Sequence, residues 1–171
     1  MTTAEEITAL LQTAKGELGT HEEDGPNIGT CAKYQEVTGG SPGDSWCADF
    51  VCWCFKQISA LGLLPRITGS CEEMRQAARY KMLMVPRTEQ PAAGDIGVVV
   101  NTAANHAHHM FLVEDAPNAD GVFPTIEGNS NDNGSANGDG VYERNKRRVG
   151  GGGPQDHYEF IRCFIPESAA Q

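Results

Sequence analysis

Cys47 stands in the run Trp46-Cys47-Ala48-Asp49-Phe50-Val51, directly after Gly43-Asp44-Ser45. Polar, turn-prone residues there give way to an apolar stretch with helical spacing, so the thiol falls at or near a helix N-terminus. The positive end of the helix dipole and the free N–H groups of the first turn favour thiolate over thiol. A thiolate attacks carbonyl carbon, and the same N–H groups can hold the oxyanion that results. Such a nucleophile needs a base, and the base needs a group to orient it. His106, His108 and His109 cluster at the start of one candidate strand; Glu127 ends another, with Asn129 two residues on. Residues i and i+2 of a strand share a face, so Glu127 and Asn129 both turn toward one imidazole if the extended conformation continues that far. A carboxylate or amide on the ring N–H would select the tautomer and hold the ring.

The elements that must position these groups follow from periodicity. Residues 3–18 read as a first helix, with Thr3 as its cap, Glu6 completing a capping box, and Ile7, Leu10, Leu11 and Ala14 as its apolar stripe. Gly19 is expected to end it. A loop runs to about Pro42, with a short helical turn near residues 32–36. Residues 47–61 form the nucleophile helix, on which Val51, Cys54, Phe55 and Ile58 share the face of Cys47 and Gly62 is the stop. Ser70 caps a further helix over 70–80, with Glu73 at the capping-box position. Strands are expected at 95–100, 108–114, 121–127, 140–148 and 158–165. Alternation puts His108 on the face of Met110 and Leu112, opposite His109. Residues 128–140 and 150–153 read as surface loops. Helices first and strands later predict an α+β domain, an antiparallel sheet packed on N-terminal helices.

Composition excludes several functions. The length of 171 residues fits one domain with a real core, and helices and sheet account for the chain, so no separate binding domain is expected. A net charge of −10 argues against nucleic-acid binding and against adhesion to anionic membranes or wall polymers. The one basic cluster, Lys146-Arg147-Arg148, reads as a solvated strand end. No apolar run approaches the roughly 18 residues of a membrane span. The acidic start lacks the order of a signal peptide, so synthesis in the cytoplasm is expected, with any action elsewhere following release or delivery. The six cysteines include no CxxC pair, so reduced thiols are the default. Cys54 reads as core, and Cys52 and Cys71 as structural thiols; Cys31 and Cys163 are left open as a pair.

Three ordered blocks resemble the CHAP family, the cysteine- and histidine-dependent amidohydrolases and peptidases. They are Trp46-Cys47-Ala48-Asp49-Phe50-Val51-Cys52-Trp53; then Pro91-Ala92-Ala93-Gly94-Asp95-Ile96 with His109-Met110-Phe111-Leu112-Val113-Glu114; then Thr125-Ile126-Glu127-Gly128-Asn129 with Gly140-Val141-Tyr142-Glu143-Arg144. The resemblance implies a papain-like fold and cleavage of amide bonds in peptidoglycan, as in many phage and bacterial lysins. It makes Cys47 the nucleophile, His109 the base and acid, Glu127 the group that orients His109, and Asn129 a further polar residue beside the histidine. Acyl transfer through a thioester is the implied mechanism, with the Cys47 N–H helping to hold the oxyanion. The family often has a small residue two places after the histidine, where this chain has Phe111. His109 fits the family spacing and His108 does not.

Other readings are weaker. His106-Ala107-His108-His109 lacks the further ligands of a zinc site. Asn129, Asn131, Asn133 and Gly134 echo a calcium loop, but its twelfth position is Gly140 rather than Glu. Glu22, Glu23, Asp24 and Asp44 lack the packed spacing of a calcium site. The expectation is therefore no cofactor and no metal ligand, with calcium the lesser alternative. A monomer acting on bacterial peptidoglycan is expected. The alternatives are a cysteine protease or deamidase acting on proteins and a non-catalytic wall-binding domain.

Overall fold

A computed structural model of the chain describes residues 2–131 and 138–165. Helix α1 spans Thr3–Lys15, α2 Ala32–Thr38, α3 Cys47–Gln57 and α4 Cys71–Tyr80, with 3-10 turns at Gly29–Cys31 and Leu61–Leu63. Strands β1 (Ile96–Asn101), β2 (His106–Val113), β3 (Val122–Ser130), β4 (Gly140–Arg148) and β5 (Asp156–Ile161) form one antiparallel sheet in the order β4-β3-β2-β1-β5. This is the expected α+β architecture. Among the described residues, no helix is long and apolar enough to cross a membrane.

The helix ends differ from the sequence expectation in instructive ways. Thr2, not Thr3, caps α1, and Glu5, not Glu6, closes the box: Glu5 N–H donates to Thr2 Oγ1 at 3.3 Å and Thr2 N–H donates to Glu5 Oε2 at 2.7 Å. Tandem Thr-Thr and Glu-Glu offer two frames, and the earlier one adds a residue to the helix. Gly16 rather than Gly19 ends α1, while Gly19, at φ 84, turns the chain toward β4 and donates to the Val141 carbonyl. Helix α3 stops at Gln57, not Leu61, because Ser59 adopts φ 59; Gly62 falls inside the following 3-10 turn. Ser70 caps α4 by accepting from Glu73 N–H, but the Glu73 carboxylate takes the Thr68 hydroxyl instead of closing the box.

Helix α3 is the centre of the fold. Cys47 through Cys52, Cys54 and Phe55 are all buried, with α1 and α2 packed on this helix and β2 and β3 against it. A helix buried on nearly every side is apolar on nearly every side, which explains its composition. The sheet separates two cores. Met110 and Leu112 of β2 join the helices in the main core; Phe111 and Val113 join Val99 and Phe123 in a second cluster packed by Tyr158 and Phe160.

Strand β2 is irregular along both of its edges. Val99 pairs with His109 but Val100 pairs with Ala107, so His108 is the extra residue of a bulge. Strands β2 and β3 pair only at Leu112↔Ile126 and Val113↔Thr125. Beyond Leu112 they part, and the N-terminus of α3 reaches the opening.

Candidate active site

The approach to Cys47 is pinned by buried side chains. Tyr34 of α2 stacks on Trp46 at 5.1 Å, and Trp46 Nε1 donates to Glu22 Oε1 at 2.7 Å. Gln35 Nε2 donates to the carbonyls of Asn27 and Asp44. Trp46 caps α3 with no side-chain hydrogen bond, which leaves the first-turn N–H groups to other acceptors. Gly128 brings β3 onto the same turn. A Cβ at Gly128 would sit 2.5 Å from the Phe50 Cβ, so only glycine allows Glu127 and Asn129 to approach this close to the helix start.

His109 and Glu127 meet across the parting strands. His109 Nε2 donates to Glu127 Oε2 at 2.9 Å, and both side chains are buried. That bond leaves Nδ1 as the ring nitrogen available to Cys47. Glu127 is fully enclosed and fully engaged. Arg147 grips it with two bonds, Nε to Oε1 at 2.6 Å and Nη2 to Oε2 at 2.7 Å, and the Thr125 hydroxyl donates to Oε1 at 2.6 Å. The Arg147 guanidinium lies 4.2 Å over the Phe111 ring, and its Nη1 donates to the Tyr158 hydroxyl. Phe111, where the resemblance led to a smaller residue being expected, is the floor under this arginine. The room comes from Gly97, its partner on β1, where a Cβ would lie 2.0 Å from the ring.

Charge follows from these contacts. Burial alone would raise the Glu127 carboxyl, but the bonds from Arg147 and His109 outweigh it and hold the group well below the usual carboxylate range. Burial alone would lower His109; hydrogen bonding to Cys47 and Glu127 reverses this and lifts the imidazole to about 9. The Cys47 thiol is held well below the ordinary thiol range. The Cys71 thiol, 3.4 Å away, contributes most, burial opposes, and His109 and the Met110 N–H add to the lowering. The Met110 N–H faces the sulfur where β2 has parted from β3. The site therefore favours a thiolate and an imidazolium side by side, with a carboxylate behind them. Asp49, two residues on in α3, is pushed up to about 6 by its own burial.

The sequence-selected residues do not all fall together. Cys47, His109 and Glu127 do. Asn129 does not share their face, because the extended conformation breaks before it: Asn129 sits at φ 50 in an irregular stretch of the β3–β4 ladder. Its Nδ2 donates to Ser45 Oγ at 2.7 Å instead of meeting the imidazole. His108 does not join Met110 and Leu112; as the bulged residue it is part-exposed, with Nε2 3.3 Å from Asp156 Oδ1. Residues 128–130 belong to β3 and are buried, so the loop expected to begin at 128 begins later. Of the calcium echo, Asn133 and Gly134 lie outside the described residues. Glu22 and Asp44 of the acidic stretch are engaged by Trp46 and by the Ser41 N–H. Among the described residues, no three His, Cys, Asp or Glu side chains gather as a metal-binding group.

Two residues escaped the sequence reading. Arg147 is not a solvated strand end: its side chain is 13% exposed and bound to Glu127, because pairing with Phe123 turns it onto the glutamate's face. Cys71 is not merely structural, since it touches Cys47. It begins α4 as Cys47 begins α3, a parallel visible in the sequence, but only the tertiary fold brings the two helix starts together. All six cysteines are free thiols.

Two cavities flank the sheet and the long loop. One of about 730 Å³ is lined by Met84, Pro86, Thr102, His157 and Phe160, away from Cys47. One of about 530 Å³ lies between Gly19, Thr20, His21, Thr30 and Lys33, in the long loop that also carries Glu22.

No curated protein matches the chain. The family model of the CHAP domain matches residues 38–129, from the end of α2 to Asn129. That span is over half of the 171 residues and takes in Cys47, His109 and Glu127. The helices packed on a five-stranded antiparallel sheet are consistent with the papain-like fold of that family, and the chain belongs to it: it is a CHAP domain protein, of the cysteine- and histidine-dependent amidohydrolases and peptidases.

Proposed function

We propose that this protein cleaves amide bonds of bacterial peptidoglycan, with Cys47 as nucleophile, His109 as general base and acid, and Glu127 as the residue that holds His109. The observation that carries the proposal is the buried line from Cys47 through His109 to Glu127, at the point where β2 and β3 part. The Cys47 thiolate attacks the carbonyl carbon of the amide. The C–S bond forms, and the oxyanion is met by N–H groups at the uncapped start of α3. His109 gives its proton to the leaving amine as the C–N bond breaks. Water then attacks the thioester, His109 takes a proton, and the thiolate leaves. Glu127 remains ionised throughout, fixing the tautomer of the ring. Asn129 serves beside this line: its buried Oδ1 has no hydrogen-bond partner among the described residues, which suits an acceptor for a substrate N–H.

The setting that fits this reading is the bacterial wall, reached after release or delivery in the manner of a phage lysin. An acidic chain gains nothing from attraction to anionic wall polymers, so recognition falls to a groove near the stem peptide. The long loop with its cavity is a suitable wall for such a groove. Digestion of purified peptidoglycan by the wild type and by Cys47→Ala, with products identified by mass spectrometry, tests the proposal. Soluble muropeptides from the wild type alone are expected. A new N-terminal alanine with a freed lactyl carboxyl on glycan-bound muramic acid marks an amidase, and new stem or bridge termini mark an endopeptidase. No release from several wall chemotypes, with cleavage of a protein substrate, would overturn it.

A further inference from the structure

The mechanism uses one of two touching thiols. Cys71 Sγ lies 3.4 Å from Cys47 Sγ; it favours the Cys47 thiolate but makes and breaks no bond in amide cleavage. Each cysteine is the first residue of its helix, Cys47 of α3 and Cys71 of α4, so two helix N-termini converge on one sulfur pair. Both ends are held firmly. Ser70 caps α4, and Arg75 ties it to the sheet through Glu159 on β5 and Asn105 in the β1–β2 turn. Glu72, next to Cys71, also accepts from the Ala107 N–H of β2. The contact with Cys47 is therefore built into the packing of α4 on the histidine strand. Cys52, in contrast, points its thiol at the Thr68 carbonyl.

We infer that Cys71 is a resolving cysteine, which closes a disulfide with Cys47 when a hydroperoxide oxidises the nucleophile. The inference rests on the proposed role of Cys47 only in that a thiolate which a substrate carbonyl can reach must also be open to a small peroxide. The Cys47 thiolate attacks one peroxide oxygen. An S–O bond forms, the O–O bond breaks, and the departing hydroxide or alkoxide takes a proton, leaving Cys47 as sulfenic acid. The Cys71 sulfur then attacks the Cys47 sulfur. The S–S bond forms, the S–O bond breaks, and hydroxide leaves with the Cys71 proton as water. Two thiols are oxidised by two electrons and one hydroperoxide is reduced to alcohol and water. The sulfurs must approach from 3.4 Å to about 2.05 Å, a movement within reach of side-chain rotation at two helix starts. The disulfide hides the nucleophile, and a dithiol restores it by exchange. Without Cys71, the sulfenic acid has no resolving thiol, and a second hydroperoxide takes it to sulfinic acid while being reduced to alcohol or water, a state that a dithiol does not reverse.

The test treats the wild type, Cys71→Ser and Cys71→Ala with hydrogen peroxide, followed by peptide mapping and then dithiothreitol. In the wild type we expect loss of two hydrogens, a Cys47–Cys71 cross-linked peptide, and return of the free Cys47 thiol with dithiothreitol. In both variants we expect sulfinic Cys47 and less than about a tenth of the thiol recovered. A wild type that forms no cross-link and reaches sulfinic Cys47 as fast as the variants would overturn the inference. Because the readout is the mass of the protein alone, it separates the two proposals. A cross-link without muropeptide release would sink the wall substrate and keep the switch; muropeptide release without a cross-link would do the reverse.

Discussion

Two glutamates on the sheet keep nearly the same company. Glu127 on β3 accepts Nε and Nη2 of Arg147 and Nε2 of His109. Glu159 on β5 accepts Nε and Nη2 of Arg75, with His157 Nε2 at 3.3 Å. Carboxylate, guanidinium fork and imidazole recur in both. Both carboxyls are lowered against the effect of burial, Glu159 to about 2. The difference lies beyond the histidine. His157 turns Nδ1 to the Thr102 hydroxyl at 3.0 Å, whereas His109 borders the Cys47 thiol and is raised to about 9. A glutamate–histidine pair thus marks an electrostatic clamp. A sulfur at a helix N-terminus is what makes one clamp the proposed catalytic site and leaves the other holding α4 to the sheet.

The comparison can be broken first at the sulfur. Cys47→Ser should lower peptidoglycan cleavage on the order of 10⁴-fold or more, measured as released muropeptide per unit time. Next, Glu127→Gln should cost about 10²- to 10³-fold in kcat by loosening the ring and its charge. Glu159→Gln should leave kcat within about threefold and instead lower stability by about 2–3 kcal/mol in denaturant unfolding, because Arg75 loses its bidentate partner in a buried site. If both substitutions cut activity equally, the distinction drawn between the two clusters is wrong.

Acidity sharpens the same contrast. Glu159 is depressed in the folded state, so its contribution is fully present above the unfolded value near 4.5 and is lost as pH falls toward about 2. The stability gap between wild type and Glu159→Gln should narrow over that interval. Activity should instead be bell-shaped. It should fall on the alkaline side as His109 loses its proton through about 9, and on the acid side as the thiolate is protonated. A pH–rate profile that shows no fall through about pH 9 would contradict the ion pair. The smallest effect is expected at Ser45→Ala, which removes the partner of Asn129 Nδ2 and should raise KM by a few-fold, about 2–5, with kcat little changed.

Much of this was legible in the residues. Helices first and strands later pointed to the α+β class; the turn-to-helix change brought out Cys47, and the family resemblance singled out His109 among three histidines, with Glu127 to orient it. Alternation failed where the sheet is irregular. It misplaced His108, because a bulge cannot be seen without the facing strand, and it misplaced Asn129, because a left-handed residue ends the two-residue period. Arg147 was hidden by its neighbours: Lys146 and Arg148 are exposed, and only the β3–β4 register turns the middle residue inward. Phe111 looked out of place until Gly97 supplied its space from the next strand. Each of these depends on pairing between distant segments, which local patterns do not carry.

The most direct test of a thiolate at Cys47 is the pH dependence of its alkylation by iodoacetamide in the reduced protein, with labelled peptides identified by mass spectrometry. The thiolate–imidazolium pair predicts that Cys47 is labelled well ahead of Cys31, Cys52, Cys54 and Cys163, which burial pushes up, and that its rate holds at about pH 6. It also predicts that His109→Ala moves the rate profile toward that of an ordinary thiol. A Cys47 that reacts no faster than the other thiols, with a rate rising only above neutral pH and unchanged in His109→Ala, would contradict the claim that this site is built around a thiolate.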